Sequence, residues 1–192
     1  MSIQSDFEEA VGKIERVGIN KLMEYLAETD FYTAPCSTRF HGVGPQGLLV
    51  HSLSVNDVAL ALKDMASIEV PEESVRICAL FHDICKVNLY VKEKRNKKID
   101  GKWTEVEVWG VDDKLPMGHG EKSVYILQKF IVLTDEEALA IRWHLGGFDP
   151  GIHFNYPSGY PNSQAFRQNK LVGLLAGADL VATYLLDPWE EE

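Results

Sequence analysis

Histidines and aspartates placed among apolar residues are the side chains of this sequence best suited to chemistry. Four of the six histidines lie at or near the ends of predicted helices with apolar neighbours: His51, His82, His119 and His144. A single histidine on an apolar face is usually a core residue whose hydrogen bonds are satisfied. Four of them in similar settings, accompanied by two carboxylates, favour a metal site, because imidazole is a common metal ligand.

Asp179 lies in the most apolar part of the chain, the stretch LVGLLAGADLVATYLL, which contains no Arg or Lys. An ionised carboxylate isolated in such surroundings would be strongly destabilising. Asp179 is therefore protonated, paired with a cation from a distant part of the chain, or bound to a metal ion held by distant histidines. The alternative is a hydrogen-bonded aspartate that serves only helix packing.

Asp83 raises the same question, because it follows His82 directly in a helix that should be buried. Adjacent side chains diverge by about 100° around a helix. The two residues can hold one ion only where the helix faces a shared cavity, or if Asp83 bridges two ions. Imidazole nitrogens with carboxylate oxygens suit one or two ions of Mn, Fe, Co, Ni or Zn, whereas Mg and Ca sites favour more oxygen ligands.

The order of these residues resembles the HD superfamily of metal-dependent phosphohydrolases, whose pattern is a His, a His-Asp doublet and a distal Asp, all on helices. The stretches GLLVHSLSV, LFHDICKV and GADLVATYL look like the corresponding family segments. Many members with two metals add two histidines between the doublet and the last Asp. The resemblance covers about residues 47–186 and implies six metal ligands: His51, His82, Asp83, His119, His144 and Asp179.

The resemblance also implies how these ligands divide between two ions. His51, His82, Asp83 and Asp179 would hold the first ion. Asp83 would bridge to a second ion, which His119 and His144 would also hold. The long interval between Asp83 and His119 departs from the family pattern, so the second ion is the less secure of the two.

The implied activity is hydrolysis of a phosphate ester, of a nucleotide or a related small molecule, by metal-activated water. A metal ion lowers the pKa of its water to about 7, and two ions can clamp the phosphate oxygens. The sequence contains no GxSxG nucleophile motif. The candidate catalytic residues are Asp83, which would space the ions, and Lys86, one turn later, which would contact phosphate. The alternative for Lys86 is a surface lysine near a helix C-terminus.

Two loops supply further candidates for substrate binding, in addition to Lys86. Arg39 precedes His51 in a loop and could contact an anion. His153 lies in GFDPGIHFNYPSGYPN, a loop rich in Gly, Pro and aromatic residues that could cover the site and stack a base. The alternative for both residues is an ordinary surface loop.

Other functions stay open beside hydrolysis. Some HD-fold proteins with the same six-ligand pattern are di-iron oxygenases, and bound iron with oxygen-dependent turnover would identify that activity. A similar arrangement occurs in 3′→5′ exonucleases and phosphodiesterases, although no accompanying nucleic-acid-binding domain is recognised here. A non-catalytic HD-like interaction domain is disfavoured, because such domains usually lack the ligand set.

Helices must position these residues, and most of the sequence has helical periodicity. We therefore predict an all-α fold, an HD-domain helical bundle. Capping boxes open the first helix at Ser5 with Glu8 and a later one at Thr134 with Glu137. One further helix is predicted to begin at His119. The others are predicted to span residues 20–29, 48–67, 71–86 and 164–186, and Pro71 suits the first turn of the helix over 71–86.

Residues 89–111 depart from the helical pattern and predict a β-hairpin inserted into the bundle. Apolar and polar residues alternate here, and the Asp100-Gly101 pair is a hairpin turn signal. The first arm carries a basic patch: Lys92, Lys94, Arg95, Lys97 and Lys98. This patch is either a solvated edge that discourages aggregation or an arm that attracts an anionic substrate or partner.

Length and composition predict a single domain, since the chain has 192 residues of which 45% are hydrophobic. We divide it into N-terminal helices and a loop over residues 1–46, suited to packing or to a homodimer surface, and a metal-binding core over residues 47–186. The net charge of −10 argues against long nucleic acid as a partner, although the basic hairpin leaves that open. The small phosphorylated substrate is what the resemblance implies.

The cellular location is predicted from the cysteines and from the absence of targeting signals. The three cysteines form no CxxC pair, which indicates reduced thiols rather than a disulfide framework. The polar, acidic N-terminus lacks a secretory signal, and the longest apolar run is short for a bilayer span. We therefore expect a cytoplasmic protein without a membrane partner.

Overall fold

The computed structural model describes residues 2–38, 41–149, 151 and 161–187 of the chain. Over these residues the protein is mostly helical, with one antiparallel two-stranded sheet. The helices are α1 Ile3–Val11, α2 Ile19–Ala27, α3 Gly47–Met65, α4 Glu72–Phe81, α5 His119–Leu127, α6 Asp135–Trp143, α7 Pro161–Gln168 and α8 Lys170–Val181, and the strands are β1 Tyr90–Ile99 and β2 Lys102–Val111. The predicted helical bundle with an inserted hairpin is confirmed.

Helices α3, α4, α6 and α8 form the centre of the bundle and pack against one another. Helix α8 is apolar around most of its circumference, as expected for a helix with neighbours on several sides. Helix α1 joins the same core through Phe7, whose ring centroid lies 5.1 Å from that of Phe31 and 5.9 Å from that of Phe81. One continuous apolar core therefore connects the N-terminal helix with the central helices.

The helix caps agree with the sequence prediction at one helix and correct it at another. The backbone amide of Glu137 donates to the Thr134 hydroxyl at 3.2 Å, and the amide of Thr134 donates to the Glu137 carboxylate at 2.9 Å, which confirms that capping box. The first helix does not begin at Ser5. Its N-cap is Ser2, whose hydroxyl accepts from the Ser5 amide at 3.2 Å, so Ser5 takes the third helical position.

Helix α4 is shorter than predicted. Pro71 is its N-cap rather than a residue of the first turn, and the helix ends at Phe81 rather than near Lys86. His82 and Asp83 follow in a turn, and a short 3₁₀ helix, Ile84–Lys86, continues the chain. The side chains after Phe81 therefore point in other directions than a continued α-helix would give them, because a 3₁₀ helix has fewer residues per turn than an α-helix.

The predicted long last helix is two helices that meet at Asn169. Helices α7 and α8 are bent by 105° at this break. The side-chain oxygen of Asn169 accepts from the amide of Leu171 at 3.0 Å and so caps α8, while Asn169 itself is extended, with φ −133 and ψ 109. Helix α8 then ends in a π-helical turn, Ala182–Leu186.

The helix lengths also bear on membrane insertion. No single helix in the described ranges has the length and apolar character needed to cross a membrane. The bent pair Pro161–Gln168 and Lys170–Leu186 meets that requirement only when its two members are taken together.

The predicted hairpin is confirmed, with β1 and β2 in register from Tyr90 opposite Val111 to Ile99 opposite Lys102. Asp100 and Gly101 at the turn have positive φ angles of 49° and 82°, as a two-residue hairpin turn of this kind requires. Most side chains of the hairpin are exposed on both of its faces. The hairpin therefore projects from the bundle instead of contributing to its core.

Candidate metal centre

Five different helix or turn positions bring the predicted ligands to one place. His51 lies in the second turn of α3, and His119 is the first residue of α5. His82 and His144 are the residues that end α4 and α6. Asp83 follows His82, and Asp179 comes from α8. The structure therefore groups all six side chains that the sequence singled out, within three overlapping clusters of possible metal ligands: His51, His82 and Asp83; His82, His144 and Asp179; and Asp83, Cys85 and His119.

Asp83 is the centre of this group, and its side chain is only 3% exposed. Its Oδ1 atom lies 2.6 Å from Nε2 of His119 and 3.6 Å from Nε2 of His144. Its Oδ2 atom lies 3.7 Å from Nε2 of His51 and 3.6 Å from Nε2 of His82. The two carboxylate oxygens thus face two different pairs of imidazoles.

The helix ends orient two of these imidazoles. Nδ1 of His82 donates to the carbonyl of Ala79 at 2.9 Å, and Nδ1 of His144 donates to the carbonyl of Ile141 at 2.7 Å. These carbonyls belong to the last turns of α4 and α6, where backbone acceptors lack partners within the helix. With Nδ1 donating to a backbone carbonyl, Nε2 is the nitrogen of each ring that faces Asp83 and that would bind a metal ion.

Asp179 finds its partner far away in the sequence. Its Oδ1 atom lies 3.3 Å from Nε2 of His51 and accepts a hydrogen bond from the Thr183 hydroxyl at 3.3 Å. Burial would raise the pKa of Asp179, but His51, His82 and His144 outweigh that effect and hold the pKa below its ordinary value. These neighbours favour the ionised carboxylate over the protonated form.

Burial favours the neutral form of two imidazoles here, His82 and His41. It lowers the pKa of His82 to about 3, despite the opposing effect of Asp83, and that of His41 to about 4. For His51, burial also lowers the pKa, but Cys36, Asp179 and Asp187 outweigh it and raise the pKa well above its ordinary value. A neutral imidazole is the species that binds a cation, so burial favours ligand chemistry at His82.

Lys86, predicted to contact phosphate, lies beside these side chains. Its Nζ atom is 2.5 Å from Oδ2 of Asp83 and 3.3 Å from Sγ of Cys36. Burial would lower the pKa of Lys86, but Asp83 and Cys36 outweigh it and raise the pKa well above its ordinary value. Lys86 is therefore a fixed cation beside the most central carboxylate.

A cavity of about 130 Å³ opens beside these residues. His51, Asp83, Lys86, His144 and Asp179 line its inner part. Phe148 and Tyr184 also line it, and their side chains are 68% and 55% exposed. The cavity therefore has a charged floor and an aromatic border that is open to solvent.

Several neighbours of the group were not predictable from the sequence. Sγ of Cys36 lies 3.3 Å from Nε2 of His41, and the His41 ring centroid is 4.9 Å from that of His51. Cys85 is buried and places Sγ 3.2 Å from Nδ1 of His119. Asp187 contacts His51, as described below. Only proximity in space reveals these residues, because no periodicity marks them.

Two predicted substrate-binding residues, Arg39 and His153, lie outside the described residues. Their roles in substrate binding stay predictions. Lys86, the third residue predicted to bind substrate, lies beside Asp83.

Comparison with known proteins gives one match. A sequence model of the HD domain matches residues 48–182, which is more than two thirds of the chain and contains all six grouped side chains. No curated protein and no solved structure matches the chain. With the ligand pattern and the helical fold, this match shows that the chain belongs to the HD domain family, within the superfamily of metal-dependent phosphohydrolases.

Proposed function

We propose that this HD domain hydrolyses a phosphate ester of a nucleotide or a related small molecule with the help of one or two divalent transition-metal ions. The observation that carries the proposal is the position of Asp83, whose two oxygens face separate pairs of imidazoles. A carboxylate in that position is suited to bridge two cations. Structural ion pairs would not require four imidazoles around one buried acid.

The donor set fits the metal ions that the family uses. His51, His82, Asp83 and Asp179 would hold one ion, and Asp83, His119 and His144 would hold the other. Nitrogen and oxygen donors in this mixture suit Mn, Fe, Co, Ni or Zn. When bound, such ions supply positive charge for phosphate oxygens and lower the pKa of water.

The other residues of the cavity contribute binding and orientation. Lys86 brings a permanent positive charge to the cavity floor, where it can donate a hydrogen bond to a phosphate oxygen. A cavity of about 130 Å³ is smaller than the roughly 300–1,000 Å³ of pockets that enclose drug-sized ligands. We therefore expect only the phosphoryl group to enter, while the rest of the ester lies at the border formed by Phe148 and Tyr184.

The test combines metal analysis with a phosphate-release screen. The protein is purified anaerobically without chelators, its metal content is measured, and it is assayed with nucleotides, other phosphomonoesters and diesters. We expect bound transition metal and phosphate release from at least one ester class. In His82→Ala and Asp83→Ala, metal content and activity should be lost together.

The control is Lys13→Ala, which removes an exposed lysine paired with Glu9 in α1 and should change neither quantity. Full metal content in either ligand variant would contradict the assignment of the ligands. Metal-loaded protein that releases no phosphate from any ester would contradict hydrolysis, and turnover that needs bound iron and oxygen would establish the oxygenase activity in its place.

A further inference from the structure

The imidazole of His51 is held on both sides by carboxylates from the same C-terminal segment. Asp179 approaches its Nε2 atom at 3.3 Å, on the side of the metal centre. Asp187 lies on the opposite side, where its Oδ2 atom is 2.6 Å from Nδ1 of His51. The side chains of His51 and Asp187 are each only 1% exposed, so this hydrogen bond is shielded from solvent.

The location of His51 explains why it needs such a partner. His82 and His144 follow their helices and donate their Nδ1 protons to carbonyls of the last helical turn. His51 lies within α3, where the backbone carbonyls already accept bonds of the helix. Its Nδ1 proton must therefore go to another element, and Asp187 supplies the acceptor from 136 residues away in the sequence.

The end of α8 is shaped to deliver Asp187. The π-helical turn Ala182–Leu186 widens the winding, and the amide of Asp187 donates to the carbonyl of Ala182 at 2.9 Å. Asp187 itself is extended, with φ −72 and ψ 142, and leaves the helix towards α3. Single π-helical turns are rare and often occur at functional sites. Burying a carboxylate here is costly unless it is paired.

We propose that Asp187 is a positioning residue for the metal centre. By accepting the Nδ1 proton of His51, it fixes the orientation of the ring, so that Nε2 faces the side of Asp83 and Asp179, where it would bind a cation once its own proton is released. A carboxylate in this position also makes the imidazole a stronger donor to a cation. The inference rests on the metal-binding half of the proposed function, and Asp187 lies outside the residues that the family match covers.

The experiment measures binding of Co²⁺ to chelator-treated, full-length protein by calorimetry. Asp187→Ala removes the acceptor, and we expect its affinity for Co²⁺ to fall by about 10- to 100-fold. Asp187→Asn keeps an amide oxygen that can still accept from Nδ1, so it should lose less. Both substitutions remove the negative charge, but only Asp187→Ala removes the hydrogen-bond acceptor. A larger loss of affinity in Asp187→Ala than in Asp187→Asn therefore identifies the contribution of the hydrogen bond.

A double-mutant cycle with His51→Ala tests whether Asp187 acts through His51. If it does, Asp187→Ala should weaken Co²⁺ binding in the wild-type background and change it by less than 2-fold in the His51→Ala background. Equal losses in both backgrounds would overturn the proposal. The proposal would also be overturned if the Asp187→Ala variant unfolds cooperatively without metal, and is therefore folded, yet binds Co²⁺ with wild-type affinity.

Glu137→Gln is the control for general destabilisation, because Glu137 is a fully buried carboxylate whose partners Arg16 and Ser74 are not metal ligands. It should lower the unfolding temperature and leave Co²⁺ affinity unchanged. A similar loss of affinity in Glu137→Gln would overturn the specific role of Asp187. Wild-type protein that binds Co²⁺ but releases no phosphate would contradict the proposed hydrolysis and leave the role of Asp187 intact.

Discussion

At the scale of single residues, the lysine beside the bridging carboxylate separates substrate binding from metal binding. Lys86 lies at the cavity floor without belonging to the metal ligands. A hydrogen bond to a charged group contributes about 1.5–3 kcal/mol, so Lys86→Ala should lower kcat/KM for phosphate release by about 10- to 100-fold. Metal content should stay at the wild-type level, which elemental analysis measures on the same samples.

A matched control for this change exists in α5. Lys122 is a buried lysine whose Nζ atom lies 2.5 Å from Oδ1 of Asp113, much as Lys86 pairs with Asp83, but it does not line the cavity. Lys122→Ala should leave kcat/KM within about 2-fold of wild type if stability is sufficient. Loss of metal together with activity in Lys86→Ala would show that the lysine maintains the site rather than contacting phosphate.

Residue type and setting made most of the site predictable. Aspartates and histidines in apolar sequence need partners, and the predicted partners are those that the structure brings together around Asp83. Asp187, Cys36 and His41 were not predictable in this way. Each follows or lies in an irregular segment, and each contacts the site only because remote elements pack beside it.

At the scale of elements, the positions where helices begin and end determine which way the site residues point. The capping box of α6 was readable from sequence, because it depends on residues three positions apart. The end of α4 was not, since it carries no Pro or Gly. The break between α7 and α8 is marked only by Asn169, whose capping role is hard to recognise inside a continuous apolar pattern. His82 bonds back to the carbonyl of Ala79 at the end of α4, and at the break the side-chain amide of Asn169 donates to the carbonyl of Glu136 in α6 at 2.8 Å.

The inserted hairpin gives the prediction at this scale. Its root is tied to the site, because the Tyr90 hydroxyl donates to the carbonyl of Cys36 at 3.4 Å. Its outer part is largely exposed, and Trp103 at the far end is 74% exposed. Replacing residues 93–108 by Asn-Gly joins the paired residues Lys92 and Trp109 through a favourable turn. We expect the unfolding temperature to change little and the ranking of substrates by kcat/KM to change.

A second hairpin variant separates length from charge. It keeps both strands at full length and replaces Lys94, Arg95, Lys97 and Lys98 of β1 by serine. If the basic patch attracts an anionic substrate, this variant should reproduce the altered ranking. An unfolded shortened protein would show that the hairpin supports the bundle, and an unchanged ranking in both variants would contradict any role in substrate selection.

At the scale of the whole molecule, the fold class followed from helical periodicity and one hairpin signal, whereas the connections between distant segments did not. Arg16, in the loop between α1 and α2, is the clearest example. Its guanidinium donates to both carboxylate oxygens of Glu137 at 2.8 and 3.0 Å and to Glu73 at 3.2 Å. It therefore links the N-terminal segment to α6 and α4. Nothing in the surrounding sequence distinguishes this arginine from a surface residue.

This ion pair predicts how stability depends on pH. Burial would raise the pKa of Glu137, but Arg16, the Thr134 amide and Ser74 outweigh it and lower the pKa. A carboxyl group whose pKa is lower in the folded state contributes stability above its unfolded pKa of about 4.3. That contribution is lost as the pH falls through the folded-state pKa. The pair should therefore stabilise the protein fully at neutral pH and progressively less in acid.

Glu137→Gln removes the charge while keeping the size of the side chain. We expect it to lower the free energy of unfolding by about 3 kcal/mol at pH 7, because it leaves the Arg16 cation, 18% exposed, without its closest carboxylate. Urea unfolding from pH 7 down to pH 3 measures both proteins. The difference between them should be constant above about pH 5 and should narrow below it. A difference that is small at pH 7, or that widens in acid, would show that this ion pair does not stabilise the attachment of the N-terminal segment.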